Sequence, residues 1–162
     1  MLNIALDIDD TIAGFFDSYL KVFGMYKTDH EITKNVYKLR RNNAFWEGLS
    51  VIDRPDFEPH IYCTKRINSK NSTRNWLRKN GFPMKPIYQM YSQLGNKADM
   101  IKGRCDVLID DSMYNIETCN KSGLPALLID RPHNRKYDTP YRIYSLKYEE
   151  IERKFNEIYR NR

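Results

Sequence analysis

The sequence lacks any apolar run approaching the roughly 18 residues that a membrane span needs. It also has few cysteines. The 162 residues hold three, Cys63, Cys105 and Cys119. The number is odd, the spacing is wide and no Cys-x-x-Cys occurs. Neither a disulfide framework nor a zinc site is indicated, and a reducing cytoplasm is the expected location. Cys63 and Cys105 fall in or beside apolar stretches, where a free thiol acts as a small hydrophobe. The basic segment, apolar core and small-residue cleavage site of a signal peptide are missing at the start, so none is expected. Repeats and low-complexity tracts are missing too. What is present suits a globular chain: 41% hydrophobic residues, 13% aromatics, 30% charged residues and a mean hydropathy of −0.73. The length fits one domain over residues 1–162, with room for a small insertion. The net charge of +6 and the pI near 9.2 favour anionic partners, a nucleotide, a nucleic acid or another phosphate ester, and equally fit plain solubility.

One stretch organises the rest: Leu2-Asn3-Ile4-Ala5-Leu6-Asp7-Ile8-Asp9-Asp10-Thr11-Ile12. A short apolar run bounded by a polar turn reads as a buried strand. Three acids and a hydroxyl at its end are costly to bury without a cation or a hydrogen-bond network, and carboxylate oxygens are the ligands that Mg²⁺ prefers. An Asp-rich turn or cap would explain one acid, but it explains this density of like charge poorly. The pattern recurs at Asp106-Val107-Leu108-Ile109-Asp110-Asp111-Ser112, where Asp111-Ser112 can cap a helix running to Asn120 and stopping at Gly123.

Between and after these stretches, strands are predicted at 60–64, ending in Thr64, and at 86–91 and 124–130, with a short edge strand at 143–146. Amphipathic or capped helices are predicted at 14–27, 28–48, 69–80 and 147–159, and a short helical pattern begins at Lys97. Lys34, Lys38, Arg40 and Arg41 make a basic face on the second helix. Residues 51–59, rich in Pro, Asp and Arg, read as a connector. Lys65-Arg66, directly after Thr64, are placed to meet an anionic ester. Alternating strands and helices indicate a parallel α/β sheet, in which ligands bind beyond the carboxyl ends of the strands. Asp7, Thr64 and Asp110 each end a different strand, so one site collects them. His133, in a loop, is assigned no role.

The segment Asp7-Ile8-Asp9-Asp10-Thr11 resembles motif I (Asp-x-Asp-x-Thr) of the haloacid dehalogenase-like phosphatases. The resemblance implies that Asp7 is a nucleophile forming an aspartyl-phosphate. It implies that Asp9 is the general acid/base and lends its backbone carbonyl to Mg²⁺. Thr64 matches the hydroxyl of motif II, which holds the transferring phosphoryl group. Lys97 matches the lysine of motif III, with Lys102 as the competing candidate. Asp110-Asp111 matches the metal-binding acids of motif IV. Mg²⁺ is therefore the implied cofactor, held by Asp7, Asp9, Asp110 and Asp111. The implied fold is a Rossmann-like three-layer α/β sandwich: a parallel five-stranded sheet in the order 3-2-1-4-5, with a small helical cap insertion at 15–56 after the first strand.

Phe45-Trp46-Glu47-Gly48-Leu49 is similar to the aromatic Phe-Trp-x-x-Leu stretch in the cap of the pyrimidine 5′(3′)-deoxyribonucleotidases. That similarity places Phe45 and Trp46 at the substrate, together with Thr11, Lys65 and Arg66. Asp10 has a helix cap as its simplest use. The implied activity is Mg²⁺-dependent hydrolysis of nucleoside monophosphates, deoxyribonucleotides foremost. The alternatives are a polynucleotide 3′-phosphatase and a non-catalytic phosphate-binding module. The implied partner is a small phosphate ester, with a nucleic-acid end second and no membrane.

Overall fold

The computed structural model describes residues 1–25, 28–91 and 95–160. Lys27, the last residue of the predicted first helix, and Leu94, just upstream of the Lys97 pattern, lie outside them. Strands form where apolar, β-favouring residues run together: β1 (Ile4–Leu6), β2 (Ile61–Thr64), β3 (Ile87–Gln89), β4 (Val107–Asp110), β5 (Ala126–Ile129) and β6 (Arg142–Ile143). All pair in parallel, in the order β3-β2-β1-β4-β5-β6. The sheet has six strands, not the five expected. The chain returns after β5 to pair Leu128 with Arg142 and Ile129 with Ile143. Two residues of pairing are too short to carry a strand pattern of their own, and the predicted edge strand at 143–146 overlaps β6 only at Ile143.

Every residue of β1, β2, β4 and β5 is buried, as in a parallel sheet covered on both faces. Alternate residues point to opposite layers. Ile4 and Leu6 join Trp76 and Leu77 of α4 (Lys70–Lys79) and Ile151 and Phe155 of α7 (Tyr148–Phe155). Ala5 and Leu108 join Ile101 of α5 (Ala98–Ile101) and Ile116 and Cys119 of α6 (Met113–Lys121). The result is a Rossmann-like α/β arrangement. Among the described residues no helix is long and apolar enough to cross a membrane.

Between β1 and β2 the chain builds a helical insertion: α1 (Phe15–Phe23), α2 (Asp29–Lys38), a 3₁₀ turn (Leu39–Arg41) and α3 (Asn43–Glu47). The helix predicted over 28–48 is therefore broken. Thr28 caps α2, its Oγ1 accepting from Glu31 N at 3.2 Å. Asn42 then starts a new helix, its Oδ1 accepting from Phe45 N at 3.1 Å, the usual way an Asn ends one helical run and opens the next. The two ends of the insertion are tied where Gly14 N donates to Ser50 O at 2.9 Å and Ala13 pairs with Val51. A Cβ on Gly14 would lie 2.7 Å from Ser50 Oγ and 3.0 Å from Ile52 Cγ2, so a larger residue here would have to displace both side chains.

One indole braces the insertion internally and another ties it to the sheet layer. Trp46 Nε1 donates to Leu39 O at 2.8 Å, and Trp76 Nε1 donates to Leu49 O at 2.7 Å. Trp76 is fully buried and stacks on Phe82 with centroids 5.3 Å apart. Trp76→Ala is expected to lower the unfolding free energy by about 3–5 kcal/mol. Urea denaturation checks this: the midpoint should fall with the slope preserved.

Candidate active site

The register of the sheet assembles the site. Leu6 pairs with Tyr62 on one side and Ile109 on the other, so the next residues on the three strands, Asp7, Cys63 and Asp110, emerge at one level. After Asp7 the chain turns sharply. Ile12 N and Ala13 N both donate to Ile8 O at 2.9 Å, and Asp10 takes φ of 57°. Asp tolerates this left-handed conformation better than most residues. The Asp10 carboxylate accepts from Phe16 N at 2.9 Å and so serves the first turn of α1.

Lys97, 1% exposed, lies at the entry to α5. Its ammonium donates to Asp110 Oδ2 at 2.7 Å, to Cys63 O at 3.0 Å and to Asp7 Oδ1. The competing Lys102 is exposed and donates to Ser122 O at 2.6 Å. Thr11 Oγ1 donates to Asp7 Oδ2 at 3.2 Å. Asp110 accepts from Ser112 N at 2.9 Å and from Asn115 Nδ2 at 3.0 and 3.1 Å. Asp111 Oδ2 pairs with His133 Nε2 at 2.8 Å. Asp9 is gripped by Arg66, Nε donating to Oδ1 and Oδ2 at 2.9 and 3.0 Å and Nη2 to Oδ1 at 2.8 Å. Thr64 Oγ1 donates to Asp9 Oδ2 at 3.4 Å.

Of these groups, Asp7, Asp9, Arg66, Lys97, Asp110, Asp111, Ser112 and Asn115 border a cavity of about 260 Å³. Its polar end holds Asp7, Asp9, Lys97, Asp110 and Asp111; its apolar wall holds Phe15, Ile32, Val36 and Trp46. Lys65 and Tyr114 also line it, the Lys65 ammonium 4.9 Å from the Tyr114 ring centroid.

Several expected substrate contacts sit elsewhere. Thr11 and Thr64 are fully buried, with their hydroxyls turned to Asp7 and Asp9. Phe45 packs its edge on Phe15 and Trp46 and does not line the cavity. Trp46 does line it, but at 1% exposure its ring is taken up by Phe15, stacked at 5.6 Å, and by the Arg66 guanidinium at 5.5 Å. Sequence reasoning missed Asn115, Tyr114 and His133. Asn115, in the first turn of the helix that follows Asp110, carried a positional signal. His133, 22 residues beyond Asp111 in a loop, carried none.

The electrostatics show a surplus of negative charge. Burial pushes the Asp7 carboxyl well above the usual carboxylate range against the opposing pull of Lys97, and Asp110, Asp111 and Asp9 add to the rise. Burial raises Asp111 as well, against His133. Burial disfavours the Lys97 ammonium, yet Asp110 and Asp7 outweigh it and hold the lysine well above its ordinary value. Lys65 is lowered, by burial first and then by Lys97. The hydrogen bond to Asp111 raises His133. Burial, reinforced by Asp111, pushes Asp10 up to about 7.

One buried ammonium does not balance Asp7, Asp110 and Asp111 together. Oxygens of these three lie within 4.8 Å of one another, an all-carboxylate donor set that fits a hard divalent cation such as Mg²⁺. No protein-family model matches the chain, and no curated protein matches it.

A pH dependence follows. Asp10 binds its proton more tightly folded, at about 7, than at the ordinary 3.8, so its contribution to stability is lost as pH rises between those values. Asp7 and Asp111 act in the same direction. The metal-free protein is expected to melt at a lower temperature at pH 7 than at pH 5. Asp10→Asn should flatten that slope, and Mg²⁺ should raise the melting temperature more at pH 7 than at pH 5. Thermal scans with and without Mg²⁺ check all three.

Proposed function

We propose that the protein is a Mg²⁺-dependent phosphomonoesterase that hydrolyses nucleoside monophosphates, with deoxyribonucleotides as the foremost substrates. The observation that carries this reading is the convergence of Asp7, Asp9, Lys97, Asp110 and Asp111, drawn from two strand ends and a helix start, around one cavity. The resemblance of these residues to the motifs of haloacid dehalogenase-like phosphatases supports it. On this reading the helical insertion after β1 is the cap.

Asp7 is the nucleophile. Thr11 holds one of its oxygens and Lys97 the other, which fixes the carboxylate for in-line attack while lone pairs remain on both oxygens. In the first step an Asp7 oxygen bonds to phosphorus, the ester P–O bond breaks, and Asp9 gives its proton to the departing alkoxide. In the second, Asp9 takes a proton from water, the water oxygen bonds to phosphorus, and the Asp7–phosphorus bond breaks to release inorganic phosphate. Lys97 carries positive charge against the developing negative charge throughout. Asp7, Asp110, Asp111 and the Asp9 carbonyl would hold Mg²⁺, which would supply the charge that lets an anionic ester approach an anionic nucleophile.

The cavity favours a single nucleotide. Acids and lysines stand at one end and the apolar wall of Phe15, Ile32 and Val36 at the other, so a phosphate and a flat apolar base have separate places. A second reading, a 3′-phosphatase of nucleic-acid ends, draws on the exposed Lys34, Lys38 and Arg41 of the insertion and on the net charge of +6.

The test is a panel of deoxy- and ribonucleoside monophosphates beside a 3′-phosphorylated oligonucleotide, with Mg²⁺. Turnover of mononucleotides is expected; turnover of the oligonucleotide alone, with rates falling steeply with salt, would establish the second reading instead. Asp7→Asn should stay folded and lose turnover of p-nitrophenyl phosphate, by a factor on the order of 10³ or more. Undiminished turnover removes Asp7 as the nucleophile.

A further inference from the structure

Arg66 stands where a phosphate contact is anticipated, yet it is 1% exposed and cannot track a ligand through solvent. Its backbone is pinned: the amide donates to Thr64 Oγ1 at 3.2 Å, and the carbonyl accepts from Gln89 Nε2 at 2.9 Å. Its guanidinium carbon lies 5.5 Å from the ring centroids of both Trp46 and Trp76. Its Nε and Nη2 edge is committed to Asp9, and Nη1 is buried with no hydrogen-bond partner among the described residues. Asp9, in contrast, keeps 21% of its side chain exposed and lines the cavity. Arg66 also lines the cavity, but the guanidinium is enclosed while part of the carboxylate stays open to the ligand space.

We propose that Arg66 is a positioning residue for Asp9, fixing the carboxylate at the point from which it passes a proton to the leaving oxygen, and that Trp46 and Trp76 form the seat that fixes the guanidinium. This inference rests on the phosphomonoesterase reading above. A planar fork on a carboxylate sets its rotation as well as its position, which a point-like ammonium does not. Three segments must therefore be in place for Asp9 to be aimed: the loop after β2, α4 with Trp76, and α3 of the insertion with Trp46. On this inference the insertion contributes to catalysis through the contact of Trp46 with the guanidinium.

The test compares kcat/KM for a nucleoside 5′-monophosphate, whose alkoxide needs a proton to leave, with p-nitrophenyl phosphate, whose leaving group does not. This parameter covers the chemistry only through phosphoryl transfer to Asp7, so hydrolysis of the aspartyl-phosphate, common to both esters, does not enter. Asp9→Asn sets the reference shift in the ratio of the two activities. Arg66→Lys is expected to shift that ratio by about 10² in the same direction, and Trp46→Leu by about tenfold. Competitive inhibition by inorganic phosphate should be unchanged in both variants.

Equal losses on both esters would make Arg66 merely structural and overturn the proposal. A preserved ratio with weakened phosphate inhibition would make it a phosphate ligand and overturn it likewise. If Arg66→Lys does not fold, as thermal unfolding will show, the ratio in Trp46→Leu decides by the same criteria. A wild-type protein that hydrolyses neither ester removes the parent reading and this inference with it. An active wild type whose ratio shifts in Asp9→Asn but not in Arg66→Lys removes this inference alone.

Discussion

The ammonium of Lys97 is the group on which the site depends. It is fully enclosed and bound to Asp7 after β1, to Asp110 at the end of β4 and to the Cys63 carbonyl in β2. A buried charge is tolerated only when paired and hydrogen-bonded, and here each partner belongs to a different strand. Losing the lysine would leave two buried carboxylates facing each other across β1 and β4. The neighbouring acids find other partners: Asp9 has Arg66, Asp111 has His133, and Asp10 has the Phe16 amide. The remaining imbalance sits at Asp7 and Asp110, where two carboxylates share one lysine, and the oxygens of Asp7, Asp110 and Asp111 lie within 4.8 Å of one another, a donor set that fits a divalent cation.

The sheet makes that imbalance possible. β1 lies at the centre, with β2 and β4 in register on either side. A one-residue slip of any strand would send its side chains to the opposite face and scatter Asp7, Cys63 and Asp110. The apolar runs that fill both layers hold the register, so the stability of the core and the placement of the acids are one property. Chains of this topology leave the sheet in opposite directions around the central strand, and the crevice at the carboxyl ends is the usual ligand position.

What was legible in the sequence is what is local. The apolar runs ending in Asp7 and Asp110 announced both the strands and their acids, alternation announced a parallel α/β sheet, and the order of the first five strands came from the family resemblance. Lys97 was found because it opens a short helix just upstream of β4. What was not legible depends on where a side chain points. Arg66 and Asp9 are 57 positions apart, and nothing in either neighbourhood says that the guanidinium turns to the acid rather than to the ligand. Phe45-Trp46 signals a large aromatic contact, but packing and base stacking leave the same mark in a sequence; only the rings of Phe15 and Trp76 around Trp46 and Arg66 decide it. The pairing of His133 with Asp111 comes from the return of the chain after β5, the same excursion that adds the sixth strand.

The partners also differentiate carboxylates that a sequence presents as equals. Asp7 receives one donor on each oxygen, from Thr11 and from Lys97, so it is oriented and partly neutralised yet keeps lone pairs for attack. Asp110 receives a backbone amide, the Asn115 amide and the ammonium, a saturation that suits a fixed ligand. Asp9 alone is held by a fork, with a hydroxyl beside it and part of its surface open. That combination restricts rotation without closing access, which is what the proposed role of Asp9 as a proton carrier requires. The division of labour among the acids thus lies less in their own chemistry than in the donors that surround them, and those donors come from β2, α5, α6 and the insertion, held together by the same core.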